Sequence, residues 1–146
     1  MSQEIFSKPL FEDFSEDEMQ ELLNFSKAAR YESGEFLFKQ GDSGNSIYII
    51  FTGEVEISLI NNNNEEVSFP VIGNGTVLGE IAFFDGKPRT ASAKALNLLE
   101  VIIIHQDEFD VLENKNPRLA MKVLRELGRI TAERLRWADE LLAELI

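Results

Sequence analysis

Between Gly34 and His105 the chain is a succession of short apolar runs cut at near-regular intervals by glycine or asparagine. No other feature restricts its fold so much. The runs lie around Phe36 to Lys39, Ser46 to Phe51, Glu54 to Leu59, Glu65 to Val71, Thr90 to Ala95 and Leu98 to Ile104. Each has the length of a strand, and all but Thr90 to Ala95 are rich in β-branched, aromatic or other apolar residues. Val55, Ile57 and Leu59 alternate with Glu54, Glu56 and Ser58, the period of a half-buried antiparallel strand. Gly41-Asp42, Thr52-Gly53 and the run Asn61 to Asn64 supply turns, because Gly and Asn tolerate positive φ. Many short strands with glycine turns predict a sandwich or barrel, here a double-stranded β-helix (jelly roll) over 34–105.

Helices flank this roll. Ser15 followed by Glu18 reads as a capping box, opening a helix over 15–29 that buries Met19, Leu22, Leu23 and Phe25. After the strands, Asp107 to Asn114 predicts a short helix. Asn116 then caps a long one, with Pro117 in its first turn where a missing N–H costs nothing. The expected fold is mainly β with flanking helices, one domain over 1–146, its carboxy-terminal helices occupying 107–146. No internal repeat or linker divides it.

The long helix carries Leu124, Leu127, Thr131, Leu135, Ala138, Leu142 and Leu145, at spacings of 3, 4, 4, 3, 4 and 3. This near-heptad stripe suits a helix lying on its own β domain or one pairing with its twin. A second apolar set (Val123, Ile130, Trp137, Leu141) widens the stripe, so one face can meet the roll and another a partner. A homodimer through this helix is expected.

Charge and composition remove several function classes. Twenty-six acidic against 14 basic residues leave a net charge of −12, which opposes direct nucleic-acid binding and attraction to an anionic membrane. No apolar run reaches the ~20 residues of a spanning helix. The amino terminus lacks a basic region followed by an apolar block, so no signal peptide is expected. Absence of Cys removes disulfides, thiolate metal sites and cysteine nucleophiles, and fits a cytoplasmic protein. The single His, His105, ends the apolar run Val101 to Ile104 and reads as a strand terminus. One His without Cys cannot build the usual metal site or a metal-dependent phosphodiesterase centre. Neither a metal nor a catalytic residue is therefore expected, and the chain does not read as an enzyme. A cupin-like enzyme would share the jelly roll but normally needs several His.

The stretch "VLGEIAFFDGKPRTASAKA", residues 77–95, holds more unlike chemistries than folding requires. Gly79-Glu80-Ile81-Ala82-Phe83-Phe84 reads as a turn of helix entered through glycine, whose first N–H groups lack internal partners and attract anions. Arg89 follows Pro88 and suits two-pronged contact with phosphate, and Thr90 adds a hydroxyl. Glu80 is discordant beside phosphate unless it accepts from a hydroxyl on the same ligand. A phosphorylated sugar or nucleotide answers both demands. Taken singly, Glu80 and Arg89 also fit a surface ion pair across a loop, which contributes little.

The same stretch resembles the phosphate-binding cassette of the cyclic-nucleotide-binding domain family, here spanning 75–93. That module occurs in protein kinase regulatory subunits, gated cation channels and bacterial catabolite-activator-type regulators. "PLFEDFSEDEMQELL" resembles the family's leading helix. "YESGEFLFKQGDSGNSIYIIFTGEVEI" resembles its first strands, with glycines at turns Gly34, Gly41, Gly44 and Gly53. The terminal helices resemble its hinge and lid. The resemblance implies a regulatory sensor whose ligand is held by Gly79, Glu80, Ile81, Ala82, Arg89, Thr90 and Ala91. Glu80 would accept from the ribose 2′-hydroxyl, Arg89 would meet the cyclic phosphate, and the N–H groups around Ile81 and Ala82 would face it. Cyclic AMP is the favoured ligand and cyclic GMP stays open, because Thr90 follows the cassette arginine. Base contacts would come from Thr131, Arg134 and Leu135 on the final helix. Signalling would run through rearrangement of the carboxy-terminal helices, with Phe83 and Phe84 moving alongside. The downstream partner is unnamed. The alternative is the sensor part of a Crp-like transcription regulator whose DNA-binding part lies outside this chain.

Overall fold

A computed structural model describes residues 10–145. The first nine residues and Ile146, which the sequence places in the same domain, lie outside the described residues, as does the beginning of the segment read for a signal peptide.

Twelve elements follow in chain order: α1 (Glu16–Leu23), β1 (Lys27–Tyr31), β2 (Phe36–Phe38), β3 (Ser46–Thr52), β4 (Val55–Ile60), β5 (Glu66–Ser68), β6 (Val77–Leu78), α2 (Glu80–Asp85), β7 (Ser92–Ala95), β8 (Leu99–His105), α3 (Gln106–Lys115) and α4 (Pro117–Leu145). The strands form two four-stranded sheets, ordered β1-β8-β3-β6 and β2-β7-β4-β5. Every pairing is antiparallel. This is the expected roll with its long terminal helix.

The molecule has three layers. Between the sheets lie Leu37, Ile50, Val55, Leu78, Ala93, Ala95, Leu99 and Val101. On the other side of the first sheet, Ile47, Ile49, Ile102 and Ile104 pack against Leu22, Phe83, Phe109 and Leu112 from three helices, and against Val123 and Leu127 of α4. Successive side chains of β3 and β8 therefore enter different cores, which explains why both read as unbroken apolar runs. The edge strands of the second sheet are wetter: every residue of β5 is exposed.

The helix expected over 15–29 ends at Leu23. Its capping box forms as expected, with Glu18 N–H donating to Ser15 Oγ at 3.1 Å and Ser15 N–H donating to Glu18 Oε1 at 2.9 Å. Beyond it, Lys27-Ala28-Ala29-Arg30-Tyr31 pairs along β8 from Lys27↔Ile103 to Tyr31↔Leu99. Helix-favouring alanines yield to the open edge of a sheet, a case of tertiary pairing overriding local propensity. The two-residue β6 was also not foreseen; it pairs Val77 and Leu78 with Ile49 and Tyr48, and so fixes the entry to α2. The Asn loop joins β4 to β5, with Asn61 Oδ1 accepting from the N–H groups of Asn63 and Glu65 and Asn64 at φ 61°. At the other helical junction, Leu119 N–H donates to Asn116 Oδ1 at 3.1 Å, the anticipated cap.

The leucine stripe of α4 divides along its length. Val123, Leu127 and Ile130 are buried in the core, whereas Leu135, Leu141, Leu142 and Leu145 are exposed. No helix among the described residues is long and apolar enough to cross a membrane.

Candidate functional site

β6 delivers the chain to Gly79, which sits in the left-handed region at φ 84° and caps α2 without a side chain. A Cβ there would lie 2.4 Å from Arg89 Nη1, so glycine is required by backbone and neighbour alike. Glu80, the first residue of α2, is only 3% exposed. Phe83 anchors α2 in the core, its ring edge-on to Phe109 at 5.5 Å, while Ile81 and Phe84 face outward.

Arg89 is held from both ends. Its backbone N–H donates to Asp42 O at 2.8 Å and its carbonyl accepts from Gly41 N–H at 2.9 Å, tying it to the turn before β3. The guanidinium is 5% exposed and lies 4.4 Å from the centroid of the Phe38 ring. Nη1 donates to Gly79 O and Nη2 to Ser46 O, each at 3.0 Å. Nε is buried and has no hydrogen-bond partner. Burial pulls the guanidinium below its ordinary pKa, opposed by nearby Tyr48, Glu80 and Asp42. Such a group is primed to gain from an anion, since burying charge without full compensation is costly.

Gly79, Glu80, Ile81, Ala82, Arg89, Thr90 and Ala91 all line one cavity of about 240 Å³. Its polar end is formed by Arg89 and Glu80. Phe38, Ile57, Leu59, Phe69 and Ile72 supply an apolar wall, and Arg134, Trp137 and Ala138 of α4 cover it. A charged pair beside a largely apolar lining suits a ligand that is anionic at one end and apolar or aromatic at the other.

The three positions expected to touch a base fall in different places. Arg134 lines the cavity, but its head reaches the carboxylate: Nη1 donates to Glu80 Oε1 at 2.5 Å. Nη2 donates to Thr76 Oγ1 at 3.3 Å and to Val77 O. Thr131 does not line the cavity, and its hydroxyl donates to Leu127 O at 2.9 Å within the helix. Leu135 lies outside it too, 62% exposed. Trp137, which sequence reasoning placed only in an apolar set of α4, faces the cavity with its ring 6.0 Å from that of Phe69. The signal was available: 134, 137 and 138 share one helix face at i, i+3 and i+4.

The family model for the cyclic nucleotide-binding domain matches residues 28–116, more than half of the chain. The chain belongs to the cyclic-nucleotide-binding domain family. Cyclic AMP receptor protein of Thermus thermophilus is 28% identical over 131 residues, covering 90% of this chain and 59% of that protein. The CRP-like cAMP-activated global transcriptional regulator of Mycobacterium tuberculosis is 30% identical over 113 residues, covering 77% of this chain and 49% of the relative. The crystal structure of a cyclic nucleotide-binding domain from Methylobacillus flagellatus superposes with a TM-score of 0.86 at 30% identity, covering 97% of this chain and 80% of that one. The chain thus spans between about half and three fifths of the length of these two curated relatives. In this cyclic-nucleotide-binding domain, α2 and the Arg89 turn line the same cavity, which Arg134, Trp137 and Ala138 of α4 line as well.

Proposed function

We propose that the chain is a regulatory module that binds a cyclic nucleotide, cyclic AMP in preference to cyclic GMP, and acts by binding rather than by catalysis. The observation that carries this is Arg89: a buried guanidinium with an unpartnered Nε, on the wall of a mostly apolar cavity that it shares with Glu80, Thr90 and Arg134. The cyclic phosphate lies against Arg89 and the first N–H groups of α2. Glu80 accepts from a sugar hydroxyl, and the base fills the apolar space between Ile57, Leu59 and Trp137. The names of the relatives, a cyclic AMP receptor protein and a cAMP-activated regulator, support the choice of ligand. Occupancy shifts the balance between arrangements of α3 and α4, by no more than the difference in ligand affinity between them.

The exposed leucines of outer α4 (Leu135, Leu142 and Leu145) support a homodimer through that helix. A second reading, favoured by the partial coverage of the relatives, is that the module is the sensor part of a longer transcription regulator. Both readings predict the same pocket. Calorimetric titration with cyclic AMP, cyclic GMP and cyclic dinucleotides tests it. Saturable binding of cyclic AMP, at least tenfold weaker in Arg89→Ala, is the expected result, since a charge-assisted bond contributes ~1.5–3 kcal/mol. Equal affinity in the two forms refutes it.

A further inference from the structure

Up to Ile130, α4 is fastened by Leu119, Ala120, Val123, Leu127 and Ile130; beyond that point none of its described residues is buried. The outer half nevertheless crosses the cavity, where Arg134 and the Trp137–Phe69 ring contact attach it. Three of Arg134's acceptors (Thr76 Oγ1, Val77 O and Glu80 Oε1) belong to the short segment 76–80. Glu80 is the residue assigned above to the ligand's hydroxyl, and this inference rests on that assignment. Its carboxylate is 3% exposed, so only groups reaching into the cavity wall can approach it. A hydroxyl arriving there meets a carboxylate whose Oε1 is already engaged by a cation, and that ion pair couples two full charges where a hydroxyl brings only a dipole.

We infer that Arg134 is a specificity-determining residue: it competes with a ribose 2′-hydroxyl for Glu80, so the hydroxyl contributes to affinity only as far as Arg134 yields. Two consequences follow from the geometry. The preference for a ligand carrying the hydroxyl over one lacking it is held down in the unsubstituted chain. The same exchange also loosens the attachment of outer α4 to 76–80, coupling the sugar to the helix that covers the site.

The readout is a ratio. Removing the Arg134 cation strengthens repulsion between Glu80 and any phosphate, but this penalty is shared by cyclic AMP and 2′-deoxy cyclic AMP and cancels between them. The full chain and its Arg134→Gln and Arg134→Lys forms are titrated calorimetrically with both nucleotides. Arg134→Gln is expected to raise the affinity ratio of cyclic AMP to its 2′-deoxy analogue by about tenfold, the scale of one charge-assisted contact. Arg134→Lys, which keeps the charge but cannot span three acceptors, falls between. Hydrogen exchange across 76–80 in the protein alone rises in Arg134→Gln. Binding of cyclic AMP with a ratio that stays unchanged or falls in both variants overturns this inference and leaves the proposed function standing. Failure of the unsubstituted chain to bind cyclic AMP overturns both.

Discussion

A single methyl group at position 44 tests whether the buried placement of Arg89 matters. Gly44 has no positive φ, yet a Cβ built on it would stand 2.3 Å from Arg89 Nε, 2.5 Å from Cζ and 2.6 Å from Nη2. Non-bonded heavy atoms settle at about 3.5–4.0 Å, so Gly44→Ala forces the guanidinium aside by more than roughly 1 Å. It then loses the 3.0 Å bonds to Gly79 O and Ser46 O and its seat over Phe38. Water re-solvates the displaced head, so the cost to folding is modest, about 1–3 kcal/mol. The cost to binding is larger, because the charge is displaced from its place in the cavity wall. Losing one charge-assisted contact to phosphate, ~2–3 kcal/mol, weakens cyclic AMP binding roughly 30- to 150-fold. Calorimetry on the wild type, Gly44→Ala, Arg89→Ala and the double variant reads this directly, with circular dichroism confirming that each is folded. Both single variants should fall together, and the double should be little worse than either, since residues in contact are not additive. Wild-type affinity in Gly44→Ala, or fully additive losses, refutes the argument.

Other outcomes follow from the packing. Leu127 of α4 is fully buried, so Leu127→Ala should cost about 2–5 kcal/mol in urea unfolding; a loss well under 1 kcal/mol would mean α4 is not docked as described. Gly128 is exposed within α4, and its Cβ would point into open space. Gly128→Ala should therefore stabilise by ~0.8–1 kcal/mol and raise Tm by roughly 2–4 °C, and a lowered Tm would contradict a continuous helix there. Lys122 donates to Glu18 Oε1 at 2.7 Å and holds that carboxyl below its ordinary value. The lowered acid contributes stability above its unfolded pKa that is lost as pH falls through the folded one. In Lys122→Met the NMR titration of Glu18 should move upward, and an unmoved midpoint removes the pair as its cause.

Much of this was legible in the sequence because it is local. The capping box at Ser15, the Asn61 turn and the alternation of Val55, Ile57 and Leu59 are each written within a few residues. The motif from Gly79 to Ala91 likewise gathers its chemistry in one stretch, and the fold brings those residues to one cavity. What escaped was set by distant partners. β1 exists because β8 offers an edge, and no pattern within Lys27 to Tyr31 announces that edge. Gly44 reads as a turn glycine, but what crowds it is the side chain of Arg89, 45 positions away. Arg134 was placed correctly on the covering helix, whereas its partnership with Glu80 depends on how far that helix leans over β6, which spacing along α4 does not encode.

The most direct test is a crystal structure of the chain saturated with cyclic AMP. The account predicts the phosphate within about 3 Å of the Arg89 guanidinium, its Nε included, with the ribose hydroxyl on Glu80 and the base beside Trp137. A nucleotide seated elsewhere, with Arg89 still donating to Gly79 O and to Ser46 and to no phosphate, contradicts it.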